Sequence, residues 1–226
     1  MTSLVDLASA AKRFLRTCTC FGLRLLFITT TLLSVACRAE EPKPPVRIIV
    51  LGDSLSAGYG LAAEQAFPAQ LEAALREAGW PATVINAGVS GDTTAGGLAR
   101  LDWALQDEPD VMIIQLGAND ALRGLSPDRA EANLAAILTR LHDAGVKPIL
   151  AGMRAPLNLG HGYTSRFNPI YERLAQKHEV PLYPFFLEGA AGKPTMNLED
   201  GIHPNAEGIA EMVARFMPFL QKHLPR

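Results

Sequence analysis

At 226 residues the chain is long enough for one substantial core, and a formal net charge of −2 with 19% charged residues excludes the basic excess expected of a nucleic-acid binder. The three cysteines, Cys18, Cys20 and Cys37, all precede residue 38, so the remainder holds neither a thiol site nor a disulfide framework.

Lys12, Arg13, Arg16 and Arg24 precede an uncharged, mostly apolar run from residue 25 to 36 that is too short for a comfortable membrane span. Residues 1–36 therefore read as a secretory signal, which places the protein in the periplasm or outside the cell; export needs little of residues 1–20. Ser34 and Ala36 are small residues suited to cleavage, leaving Cys37 as the first mature residue. Cys37 stands where a lipid anchor would be attached, although Ser34 occupies a position where leucine is usual. Residues 37–46 read as a linker, because Pro42, Pro44 and Pro45 oppose helix and remove backbone donors, and the folded domain is expected over 47–226.

Residues 48–51 are continuously apolar and β-branched, as in a strand buried on both faces, and Gly52 permits a sharp exit toward Asp53 and Ser54. Leu71, Ala74, Leu75 and Ala78 share one face of a helix over 67–78 that Gly79 ends. A second strand over 82–87 runs into a glycine-rich turn through Gly88 and Gly91, then a helical segment to Leu105. A third strand, 111–116, again ends at glycine, with Asn119 and Asp120 beyond it. Ser126 and Pro127 open a helix that runs to Gly145, a fourth strand covers 147–152, and 153–167 reads as a long loop facing substrate or solvent. Asn168 and Pro169 repeat the cap-and-proline start for a helix over 170–178. The strand at 180–185 is interrupted by prolines and belongs at a sheet edge. Asn205 caps a last helix that turns Ile209, Met212, Val213 and Phe216 inward.

Five strands alternating with helices imply a mostly parallel sheet covered on both faces, in which ligands bind beyond the carboxyl ends of the strands. Ser54, the turn at Gly91 and Asn119 each follow a different strand, so they should converge on one edge. Asp200 and His203, three residues apart before the last helix, add an acid and an imidazole. Serine hydroxyls need a base during attack, and an unperturbed imidazole, titrating near 6.5, suits that task. Asp200 would orient the ring and stabilise the imidazolium, and the backbone amides of Ser54 and Gly91 with the Asn119 side chain would receive an oxyanion.

Four blocks carry these residues: Gly52-Asp-Ser-Leu55, Gly91 within Ser-Gly-Asp-Thr, Asn119 within Gly-Ala-Asn-Asp, and His203 within Asp-Gly-Ile-His-Pro. Together they resemble the SGNH (GDSL) hydrolases, in the branch of bacterial arylesterases, acyl-CoA thioesterases and lysophospholipases. The resemblance implies a flavodoxin-like three-layer α/β/α sandwich, a triad of Ser54, Asp200 and His203, and an oxyanion hole at Ser54, Gly91 and Asn119. Ala118 departs from it, standing where that branch commonly has a second glycine. The expected enzyme cleaves carboxylic ester or thioester bonds through an acyl-enzyme, without cofactor or metal, on a small acyl substrate. Its membrane contact would be limited to a lipid anchor at Cys37 or a lipid substrate. The alternatives are a carbohydrate O-acetyl esterase or acyltransferase, or a non-catalytic binding protein on the same scaffold.

Each residue also has an ordinary reading. Ser54 could be a turn hydroxyl, Gly91 a positive-φ hinge, Asn119 a helix cap and Asp200 with His203 a capping cluster. One hydrolytic site explains the set at once. Asp53 and Asp92 read as loop-holding carboxylates. Gly58-Tyr-Gly60-Leu-Ala-Ala63 imitates a dinucleotide fingerprint but begins too far beyond its strand to serve as one. For the acyl chain, the expected apolar surface is Leu122 and Leu125 with Leu157, Leu159, Tyr163 and Phe167.

Overall fold

The computed structural model describes residues 44–225, so the expected signal segment, Cys37 and the linker up to residue 43 lie outside the described residues. Strands β1 (Val46–Gly52), β2 (Ala82–Gly88), β3 (Val111–Gln115), β4 (Lys147–Ala151) and β5 (Leu182–Tyr183) form one sheet in the order β2-β1-β3-β4-β5, every pair parallel. Ile48 to Leu51, Val111 to Ile114 and Ile149 to Ala151 are fully buried, as central strands covered on both faces must be. The first strand begins at Val46, one residue inside the expected linker, because Val46 pairs with Ala82.

The described residues hold nine helices, eight between strands and one after the last: α1 (Ser54–Ala57), α2 (Phe67–Glu77), α3 (Thr94–Ala99), α4 (Leu101–Leu105), α5 (Ala118–Leu122), α6 (Pro127–Asp143), α7 (His161–Phe167), α8 (Ile170–His178) and α9 (Ala206–His223). From β1 the chain crosses one way to β2 and then returns past β1 to β3. Right-handed crossovers in opposite directions put their helices on opposite faces. Accordingly α2 packs with α9, while α3, α6 and α8 form a second group. The sheet lies between these two layers, and the reversal between β1 and β3 is the switch point at which such sheets bind ligands.

Several elements differ from the sequence reading for local reasons. The helical run to Leu105 breaks at Arg100 (φ −104°, ψ 9°) into α3 and α4. Residues 153–167 hold a short 3-10 turn, Leu157–Leu159, and helix α7, started by Gly160 at φ 79°. Asn168 does not cap α8; its Oδ1 accepts from the Ala155 amide at 2.8 Å and ties that segment down. Ser126 precedes α6 without a side-chain cap bond, whereas Asn205 caps α9 by accepting from Gly208 at 2.9 Å. At the sheet edge β5 shrinks to two residues between Pro181 and Pro184, which cannot donate to the ladder.

Candidate active site

Pairing carries the ends of three strands to one rim: Gly52 stands level with Gly88 on one side and Gln115 on the other. Gly52 has no room for a side chain, since a Cβ there would run into the Ser56 hydroxyl and lie 2.7 Å from Gln115 Oε1. Beyond it Asp53 is the N-cap of α1, accepting from the Leu55 amide at 3.0 Å, so Ser54 emerges as the first residue of a one-turn helix. Asp53 is fully buried, and its Oδ2 finds no hydrogen-bond partner among the described residues. Burial pushes its carboxyl up to about 6, against the opposing pull of the Leu55 amide and Gln115.

Ser54 Oγ lies 2.9 Å from His203 Nε2, and His203 Nδ1 lies 2.7 Å from Asp200 Oδ2. Asp200 Oδ1 accepts from the backbone amides of Ile202 at 2.9 Å and His203 at 3.0 Å, closing the turn that carries both side chains. Those bonds hold its carboxyl down at about 2; the His203 amide contributes most, then the imidazole, then the Ile202 amide. An ionised Asp200 keeps the proton on Nδ1, which leaves Nε2 free to accept from the Ser54 hydroxyl.

The Gly91 turn reaches the same rim, because the Val89 amide donates to the Gly52 carbonyl at 3.0 Å. Gly91 adopts φ 84°, and its carbonyl is held by Arg123 Nη2 at 2.8 Å. Asn119 donates one Nδ2 hydrogen to the Asp92 carbonyl at 2.9 Å, and its second hydrogen is available to a ligand. Positive φ in this block falls on Gly117, at 112°, where a Cβ would strike the Tyr171 hydroxyl. Ala118 simply begins α5, so the second glycine is not required here.

The sequence profile of the GDSL-like lipase/acylhydrolase family matches residues 50–210, most of the chain and the whole of this constellation. The chain belongs to this family. An arylesterase of Vibrio mimicus is 44% identical over 196 residues, covering 85% of this chain and 94% of that protein. The thioesterase 1/protease 1/lysophospholipase L1 of Escherichia coli K12 is 39% identical over 207 residues, covering 90% and 96%. The crystal structure of AlinE4, an SGNH-hydrolase family esterase, superposes with a TM-score of 0.69 at 46% identity, covering 82% of this chain and all of that one. The protein is accordingly an ester hydrolase of the SGNH type.

In this SGNH hydrolase Ser54, Asn119 and His203 open onto a cavity of about 430 Å³ whose other walls include Leu55, Leu122, Met153, Pro156, Leu187 and Ile202. Only Leu122 of the six residues expected to hold an acyl chain is among them. Phe167 is a core residue, packed edge-on against Tyr171 beneath Gly117. Tyr163 stacks on Phe167 and donates to the Leu125 carbonyl at 2.8 Å, so it fastens α7 to the segment after α5. Leu159 packs on the core, Leu125 stands outside the cavity, and Leu157 is 88% exposed. Of the expected acyl surface, Tyr163 and Phe167 instead hold helix α7 to the core.

Sequence reasoning missed two residues that the site depends on. Arg100 sends Nε to Asp92 Oδ2 at 2.6 Å, Nη1 to the Ala87 carbonyl at 2.6 Å and Nη2 to the Gly52 carbonyl at 2.9 Å. Asp120, which is buried, accepts from the Thr94 amide and hydroxyl at 2.8 and 2.6 Å and so joins α5 to α3. Neither had a local signal: Thr94 is 26 positions from Asp120, and the partners of Arg100 lie 8, 13 and 48 positions before it.

Proposed function

We propose that Ser54 is the nucleophile of a cofactor-independent esterase and thioesterase, with His203 as general base and Asp200 as the group that orients it. What carries the reading is the unbroken chain of contacts from Ser54 Oγ to His203 at 2.9 Å and on to Asp200 at 2.7 Å. As Ser54 attacks the acyl carbonyl, its proton passes to His203 Nε2 and the charge on the carbonyl oxygen grows. The Ser54 and Gly91 amides and the second Asn119 Nδ2 hydrogen face that charge. Collapse expels the alcohol or thiol, which takes the proton from His203, and water then repeats the sequence on the acyl-enzyme. Losing one oxyanion donor typically costs about 3 kcal/mol of barrier.

The test is Ser54→Ala with a panel of aryl esters, acyl-CoAs and lysophospholipids of graded chain length. Turnover of every substrate should vanish while thermal unfolding is preserved, and a fluorophosphonate should label the parent chain but not the variant. Full activity in Ser54→Ala would overturn the assignment.

The same reading extends to location. Basic residues before an apolar run of signal length support export to the periplasm or beyond, with Cys37 as a lipid anchor. Fractionation of cells expressing the full chain, beside Cys37→Ser, tests both: activity in the cytosol refutes export, and a variant that fractionates like the parent refutes the anchor.

A further inference from the structure

Tyr59 lies over His203, with ring centroids 4.4 Å apart and planes tilted by 34°. Tyr59 stands in the stretch after Ser54 that imitates a dinucleotide fingerprint, and the triad described above does not use it. Tyr59 is 52% exposed, yet its position is closely held. Gly58 ends α1 at φ 85° with no room for a Cβ, which would come 2.6 Å from that of Ala66, and the Tyr59 amide donates to the Ser54 carbonyl at 3.2 Å. Gly60, at φ 75°, sits so close to Leu198 that a Cβ would lie 2.7 Å from its Cδ1, and the Leu198 amide donates to the His203 carbonyl at 2.8 Å. The turn that carries Tyr59 therefore packs beside the loop that carries His203.

We infer that Tyr59 is a positioning residue for the hydrolysis, its ring face holding the His203 imidazole in register with Ser54 and favouring the imidazolium formed in each transition state. The inference rests on the reading of His203 as the general base. The contact with His203 is made by the ring, which Tyr59→Phe would keep. A π face attracts a cation more than a neutral ring, which makes the contact stronger in the transition state than in the resting enzyme. The charged groups that face the site are Asp200 on the loop of His203, buried Asp53 at the strand end before Ser54 and Arg154 on the wall of the same cavity, and none changes when Tyr59 is replaced.

The experiment compares Tyr59→Phe, Tyr59→Leu and Tyr59→Met in the full chain, with an aryl ester, as pH profiles of kcat and kcat/KM. Phe keeps the ring and should match the parent. Leu and Met keep an apolar cover without the π face; each should lower kcat about two- to fivefold at constant KM. Each should also move the acid limb of kcat/KM down by about half a pH unit, since an imidazolium less well stabilised forms at lower pH. An unmoved acid limb in both aliphatic variants, or a Phe variant as impaired as Leu, would overturn the inference. The outcome is separable from the nucleophile assignment: if Ser54→Ala is dead and fluorophosphonate labelling is intact in Tyr59→Leu, only the role of Tyr59 is at stake.

Discussion

Arg100 and Gly52 are 48 residues apart in sequence, and the guanidinium of one donates to the carbonyl of the other at 2.9 Å. With its bonds to Ala87 and Asp92, one planar fork ties the end of β1 to the end of β2 and to the turn that follows. The Asp92 carbonyl in turn receives Asn119, so Arg100 sets where that amide can point. Both members of the Arg100–Asp92 pair have side chains only 18% exposed. Arg100→Ala leaves the half-buried Asp92 carboxylate without its cation and takes one donor each from the Ala87 and Gly52 carbonyls, and should cost about 3 kcal/mol of unfolding free energy. A misplaced Asn119 should cut kcat about tenfold or more. Arg100→Lys should recover only part of each loss, because an ammonium cannot reproduce the three-way fork. Urea unfolding and steady-state kinetics on the two variants check this.

Asp53 should make stability fall as pH rises. Its carboxyl sits at about 6 in the fold against an ordinary value of 3.8, so between those values the folded chain binds the extra proton and the unfolded chain does not. The penalty is absent below about pH 4 and complete above about pH 6. Asp53→Asn can still cap Leu55 through Oδ1 but has no charge to bury. It should raise the unfolding free energy near pH 7 by about 2–3 kcal/mol and leave it unchanged at pH 4. Thermal unfolding of both proteins across that range is the measurement; parallel curves would show that the buried carboxyl is not titrating there.

Asp200 has the opposite sign. Held at about 2, below the ordinary 3.8, its contribution is fully present above about pH 4 and disappears only as pH falls through about 2. An acid limb of activity above pH 4 must therefore arise from another group of the site. Asp200→Asn keeps an oxygen for the Ile202 and His203 amides but loses the charge that strengthens those bonds, so its melting temperature should fall modestly at pH 7 and approach the parent's near pH 2. It no longer fixes the proton on Nδ1, and kcat should drop by about 10⁴. An Asn variant with near-parental kcat would remove Asp200 from the mechanism.

What could be read before the fold was known follows from how far each signal reaches along the chain. The buried strands announce themselves through runs such as Ile48 to Leu51, and the Pro181 and Pro184 pair marks an edge strand, because in each case the physics is local. The Asp200 and His203 pair is likewise local, meeting within one tight turn. Helix α7 was hidden for the opposite reason: Gly160, Gly162, Thr164 and Ser165 are poor helix formers, and the segment is helical because Phe167 is buried against Tyr171 and Tyr163 is pinned to Leu125. Arg100 and Tyr59 act on residues brought near only by the sheet order and the packing of two loops, which no spacing in the sequence encodes.

That difference in reach decides where chain-length selectivity should reside. Leu122 and Leu187 wall the cavity onto which Ser54 opens, whereas Leu157 points into solvent although it is just as apolar. Each methylene that a substrate buries against such a wall is worth about 0.8 kcal/mol, or at most about fourfold in kcat/KM. Leu122→Ser and Leu187→Ser should each flatten the rise of kcat/KM with acyl length on a series of aryl esters, with little effect on the acetyl ester. Leu157→Ser should leave the whole series unchanged. Should Leu157→Ser flatten the series while the two wall variants do not, the acyl chain lies along the outer surface of the 3-10 turn and the cavity serves the leaving group instead.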